Sequence, residues 1–243
     1  MYFLLSGEGQ TDLGRCSDNS NNCGGNQHER GPMAIIASQI AEEKIYYPFV
    51  DSGDCYGYVS KAELAERARE LKKKKKPLIL SGKKRPKETT FFYKNARVLA
   101  MCAMEVETEK NDTVVAIFFR DSDGTASTGR GLWQAKWDSM IKGFCDEGFE
   151  RGVPMMPKPK SEAWLLCALK KLPYQQCDNL EQRSGNDNSP NSLKEELNVL
   201  LEGQTSRTDL CELVTDLRVD SSKITMPSFL AFKTALQQAL DNA

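Results

Sequence analysis

The sequence predicts an α/β fold: a mainly parallel central sheet flanked by helices, with a small C-terminal helical appendage. Three observations predict it. Apolar runs at Tyr2–Leu5, Leu78–Leu80 and Val114–Phe119 are too short for helices and rich in β-branched and aromatic residues, so they read as buried strands. Longer segments between them carry apolar residues at helical spacing. The resulting order of strand, helix, strand, helix, strand, helix, strand implies βαβ units with right-handed crossovers.

The first strand ends at Gly7, after which Asp12 to Gly31 is dense in Asn, Gly, Ser and Asp. Such a stretch cannot bury enough apolar surface to form an element of its own. It reads as a long loop, either a passive insertion or a flap contacting substrate. Pro32 to Lys44 places Met33, Ile35, Ile36, Ile40 and Ala41 at helical spacing, with proline in the first turn. A short strand is expected at about Tyr46 to Val50. Ser60, with Glu63 three residues on, has the form of a capping box, and Leu64, Ala65, Ala68 and Leu71 form the stripe of the next helix. That helix runs into Lys72 to Lys76, followed by a strand at Pro77–Leu80 and a helix from Thr89 to about Glu107. Beyond the Val114 strand, residues 131 to 150 read as a helix with Trp133, Trp137, Ile141 and Phe144 on one side. Val153–Met156 reads as a last strand, where Pro154 favours an edge position. Ser161 looks like the N-cap of a helix over Glu162–Leu169. Helical stripes recur at Leu193, Leu197, Leu200 and Leu201, and at Phe229, Phe232, Leu236 and Leu240. These readings divide the chain into a catalytic domain at 1–174, a polar linker at 175–190 and an appendage at 191–243 packed on the first domain.

Composition narrows the functional classes. The 243 residues carry 33 Lys plus Arg against 34 Asp plus Glu, which argues against a uniformly basic nucleic-acid protein and makes the distribution of charge the informative quantity. Eight cysteines are scattered without CxxC spacing and read mostly as small core hydrophobes in a reducing cytoplasm. His28 is the only histidine, so a zinc site is disfavoured. No stretch of about 18 apolar residues and no leader pattern is present, so a soluble cytoplasmic protein without membrane contact is expected.

Two acidic turns carry the chemistry. Gly7-Glu8-Gly9 closes the first strand, and Asp121-Ser122-Asp123-Gly124 follows the Val114 strand. In open α/β sheets, ligands bind outside the carboxyl ends of the strands, so Glu8, Asp121 and Asp123 are expected to converge there. Three such carboxylates repel one another unless a cation joins them, and hard oxygen ligands suit Mg²⁺ or Mn²⁺. Glu8, if not a direct ligand, is a candidate general base. Lys83, Lys84, Arg85 and Lys87 lie beyond the Pro77–Leu80 strand and Lys72–Lys76 before it, a candidate patch for tracking phosphates. Arg120 either stabilises a transferring phosphate or pairs with a carboxylate. Asp12 reads as a cap of the segment that follows it or as a fourth acidic group, and Glu162 as a helix-dipole partner or a further site member. The Gly7 segment lacks the Gly-Lys-Ser/Thr ending of a P-loop.

These residues resemble the Toprim (topoisomerase–primase) superfamily. The block Leu5-Ser-Gly-Glu8-Gly-Gln-Thr-Asp12 is similar to the start of the small single-chain Toprim-like proteins of the RloB and OLD-nuclease groups. Asp121-Ser-Asp123 is similar to their Asp-x-Asp, Glu162-Ala-Trp-Leu-Leu166 to their helix start, and Met226-Pro-Ser-Phe229 to their tail. The Asn-rich loop and Lys158-Pro-Lys-Ser161 do not match. The resemblance implies a Toprim-like sheet, Mg²⁺ or Mn²⁺ held by Glu8, Asp121 and Asp123, Glu162 as a weaker fourth member, and cleavage of a DNA or RNA backbone. It also implies a setting in bacterial or phage defence, commonly with an ATPase partner subunit. Self-association into a homo-oligomer is left open. Two other readings stand beside it. Asp121-Ser-Asp123-Gly-Thr125 also looks like the first motif of haloacid-dehalogenase-like phosphatases, although that motif normally opens the catalytic core and here lies mid-chain. A catalytically silent module that binds a partner is the third.

Overall fold

The computed structural model describes residues 1–73, 87–122 and 132–243. Among them the strands are β1 (Tyr2–Gly7), β2 (Gly14–Cys16), β3 (Asn22–Gly24), β4 (His28–Arg30), β5 (Tyr56–Ser60), β6 (Val114–Phe119) and β7 (Gly152–Met155). The α-helices are α1 (Pro32–Ile45), α2 (Lys61–Lys73), α3 (Lys87–Lys110), α4 (Trp133–Asp146), α5 (Ser161–Leu169), α6 (Leu193–Leu200), α7 (Arg207–Thr215) and α8 (Pro227–Asp241). Five strands form one sheet in the order β3-β5-β1-β6-β7. The pairs β1·β5, β1·β6 and β6·β7 are parallel, and β3 joins the β5 edge antiparallel. Among the described residues, the expected α/β architecture with a mainly parallel sheet is therefore present.

Both central strands are buried along their whole length, which is why they read as unbroken apolar runs rather than alternating ones. On one face, Phe3, Leu5, Val115, Ile117 and Phe119 pack in a cluster with α1, α5, α6, α7 and α8. On the other, Tyr2, Leu4, Val114, Ala116 and Phe118 pack with α2, α3 and α4. Pro154 lies in β7, at the edge of the sheet, as its missing N–H favours.

The structure corrects several expectations. The apolar run at Tyr46–Val50 is no strand: Tyr46 adopts a left-handed φ of 62° that closes α1, and Phe49–Asp51 forms a 3₁₀ turn. Phe49 is drawn inward to stack on Phe3 with ring centroids 4.0 Å apart. The strand instead comes at β5, which its glycine disguised. A Cβ on Gly57 would lie 2.5 Å from the Tyr2 hydroxyl, so close packing requires glycine inside that strand. The Asp12–Gly31 stretch contains three short strands, β2 and β4 paired together and β3 on the main sheet. The N-cap of α5 is Lys160, not Ser161. Four of the eight cysteines are not simple core fillers, because Cys16 pairs with Cys23 and Cys167 with Cys177 in disulfides. Cytoplasmic placement argued from reduced thiols loses that support. The expected strand at 77–80 lies outside the described residues.

Three C-terminal helices complete one face of the sheet. Trp164 is fully buried in α5, stacked on Phe232 at 5.9 Å and edge-on to Phe229 at 4.9 Å. Its indole donates to Ser228 Oγ at 2.9 Å, and the buried carboxylate of Glu181 accepts the Ser228 N–H at 2.8 Å. Residues 177–182, within the polar stretch, form a 3₁₀ helix that carries Glu181 to the start of α8. Among the described residues no helix is long and apolar enough to cross a membrane.

Candidate functional site

Register sets the site. Gly7 of β1 pairs with Ser60 of β5 on one side and Phe119 of β6 on the other. The next residue of each strand is therefore Glu8, Lys61 and Arg120, three charges side by side at the carboxyl edge of the sheet. Lys61 Nζ lies 2.8 Å and Arg120 Nη1 3.0 Å from the same oxygen, Glu8 Oε2. The Arg120 guanidinium also lies over Phe91, 3.9 Å from the ring centroid, which orients it toward Glu8. Gly7 permits this arrangement by closeness rather than by an unusual φ: a Cβ there would sit 2.5 Å from the Phe119 carbonyl oxygen.

Asp121, one residue past Arg120, is fixed by the start of α5. Its Oδ1 accepts the Ser161 N–H at 3.0 Å, satisfying one of the unpaired donors at the helix N-terminus. Neighbouring bonds hold the turn. Ser122 Oγ donates to the Pro159 carbonyl at 3.1 Å, and the buried Lys136 ammonium donates to the Ser122 carbonyl at 2.8 Å. Asp12 reaches the same place from the first loop, because its Oδ1 accepts the Ser161 hydroxyl. Its side-chain hydrogen bond is thus to α5 and not a cap of the segment that follows it.

Glu162 follows Ser161 in α5, and its Oε2 is a buried oxygen with no hydrogen-bond partner among the described residues. Burial raises the Glu162 carboxyl above its ordinary value, and the negative charge of Asp12 raises it further. Asp12 is likewise raised, chiefly by burial and partly by Glu8, against the hydrogen bond from Ser161 and the charge of Lys160. Four acidic side chains from three separate segments thus gather around the start of α5 and the end of β1.

Glu8 and Asp121 line one cavity of about 780 Å³, which Arg15, Asn19, Asn21, Tyr58 and Lys61 also line. Of the expected site residues, the structure therefore brings Glu8, Asp121 and Arg120 together, with Glu162 adjoining through Ser161. Asp123, Lys83, Lys84 and Arg85 lie outside the described residues, and Lys87 begins α3. Among the described residues, no three His, Cys, Asp or Glu side chains are grouped closely enough to hold a metal ion. Sequence reasoning did not find Lys61, Arg15 or Ser161. Lys61 sits inside a capping pattern that explained it locally, and Arg15 inside a loop read as featureless. No family model, no curated protein and no solved structure matches the chain.

Proposed function

We propose that the chain is a metal-dependent nuclease of Toprim type that hydrolyses phosphodiester bonds of DNA or RNA. One observation carries this reading: Glu8 and Asp121, distant in sequence, flank a shared cavity at the carboxyl ends of adjacent parallel strands, with Lys61 and Arg120 beside them.

The donor set suits a hard divalent cation. The carboxylates of Glu8 and Asp121 offer oxygen ligands to one cavity. Two described carboxylates do not complete a site, so Asp123 is the third ligand in this proposal, beside Glu8 and Asp121. Bound Mg²⁺ or Mn²⁺ would supply Lewis-acid stabilisation of the scissile phosphate. Lys61 and Arg120 supply positive charge for the phosphate oxygens, and their ion pairs hold the Glu8 carboxylate by Oε2 at the end of β1. The N-terminus of α5 holds Asp121 in place. The effector of a bacterial or phage-defence system, acting in the cytoplasm with an ATPase partner, is the setting we favour. The disulfides close short loops, spanning 7 and 10 positions, so their reduction there would free little of the chain.

The test is cleavage of labelled single- and double-stranded DNA and RNA in Mn²⁺ by wild type, Glu8→Ala and Asp121→Ala, with folding checked by circular dichroism. Each variant is expected to lose at least about a hundredfold in rate while keeping its fold. Two folded variants that cut like wild type would overturn the proposal. Phosphate release from a small aryl phosphate, lost in Asp121→Ala but kept in Glu8→Ala, would point instead to the phosphatase reading.

A further inference from the structure

We propose that the cavity between Glu8 and the Asn-rich loop is a pocket for one unpaired nucleotide. The inference rests on the nuclease reading in taking that nucleotide as part of a nucleic-acid chain, so the preferred substrate is a single-stranded segment or a frayed end.

Size is the first argument. At about 780 Å³ the cavity falls within the roughly 300–1,000 Å³ of small-molecule sites, enough for a nucleotide and far too small for a duplex. Its chemistry is two-sided. Lys61 and Arg15 offer positive charge for a phosphate, and Lys61 lies 2.8 Å from the Glu8 carboxylate, where cleavage is proposed. Tyr58, Asn19 and Asn21 in the same lining offer the neutral hydroxyl and amide groups that read the edge of an extruded base. Tyr58 is 6% exposed and lines the cavity, so its ring is fixed in the wall that a ligand would meet.

The wall is built rather than draped. Cys16, bonded to Cys23, closes the loop, and β3 then adds the loop to the edge of the main sheet. Asn21 is fastened to the start of α2 twice. Its carbonyl accepts the Ser60 N–H at 2.8 Å, and its Oδ1 accepts the Ser60 hydroxyl at 2.9 Å. Arg15 is steered by Glu29 at 2.8 Å, and Glu29 is itself held by Arg207 of α7 at 2.9 Å. Tyr58 is fixed by stacking on His28, with centroids 4.8 Å apart. A ligand would therefore meet groups already in position, which lowers the ordering cost of binding.

The experiment is calorimetric titration of the whole chain, in chelator without divalent metal, with a nucleoside 5′-monophosphate, the matching nucleoside and inorganic phosphate. Wild type is expected to bind the monophosphate at least about tenfold more tightly than either fragment. Arg15→Ala and Tyr58→Phe are each expected to weaken that binding about tenfold while leaving the circular dichroism spectrum unchanged. Tyr58→Phe keeps the ring on His28, and Arg15→Ala leaves Glu29 paired with Arg207, so both variants should fold. Equal affinity for phosphate and monophosphate, or variants that bind like wild type, would overturn the pocket. Cleavage is read separately. Monophosphate binding lost in both variants, with no nucleic acid ever cut, keeps the pocket and removes the nuclease. Cutting without monophosphate binding does the reverse.

Discussion

Glu162 and His28 pull the stability of the protein in opposite directions as pH changes. A carboxyl raised in the folded state contributes stability that is complete below its unfolded value and lost as pH climbs through the folded one. Glu162 starts from an ordinary 4.5 and is raised by burial and by Asp12, so it becomes a cost toward neutral pH. His28 is lowered from 6.5 to about 4, first by burial and then by Arg207 and Arg30, so its neutral form loses stability as pH falls across that window. In metal-free buffer, Glu162→Gln is expected to raise the melting temperature near pH 7 and to leave it unchanged below about pH 4. A variant equal to wild type at both pH values would show that the Glu162 carboxylate carries no folding cost. At this scale the sequence was legible where the local context was unusual. A glutamate between two glycines after an apolar run has few structural reasons to be there, and Glu8 stands at the site. Lys61 was hidden because it had an adequate local explanation, while its partner Glu8 comes from another segment of the chain. For Asp12 a local cap competed with a site role, because its partner Ser161 is likewise distant in sequence.

At the scale of elements, the site depends on how closely two strands approach. Gly7 faces Phe119, and an added Cβ would meet that residue's carbonyl oxygen at 2.5 Å and its Cβ at 2.9 Å. Neither atom is the end of a flexible side chain, so the strands themselves must part. Gly7→Ala is expected to cost about 1–3 kcal/mol in denaturant unfolding, by the usual penalty for overpacking. It should also reduce cleavage, because Glu8 is the next residue. Unfolding midpoints that match wild type would show that the β1–β6 spacing is slack. The central strands were readable from sequence because burial on both faces leaves continuous apolar runs. β5 was not, since Gly57 breaks its run and the more apolar Tyr46–Val50 stretch next to it made a better but wrong candidate. The loop strands escaped for another reason: three-residue strands carry no periodicity, and a disulfide pairing cannot be deduced from spacing alone.

At the scale of the whole molecule, the helices after residue 191 share a core with the strands that carry the site. Phe229, Phe232 and Leu236 of α8 belong to the same buried cluster as Phe3 and Leu5 of β1. Phe229 and Phe232 contact Trp164, two residues beyond Glu162, so the packing of α8 bears on the helix that holds Asp121. The stripes of these helices were visible in the sequence, yet their place on the sheet was not, because nothing local marks which face a C-terminal helix will cover. Removing the Phe232 ring empties a fully buried site and should cost about 3–5 kcal/mol. If the shared core makes the chain one cooperative unit, Phe232→Ala shifts tryptophan fluorescence, far-ultraviolet circular dichroism and loss of nucleotide binding to the same lower denaturant concentration. A variant in which the helical signal at the C-terminus melts early while binding at the Glu8 cavity persists would show two units that unfold separately, and would detach α8 from any influence on the site.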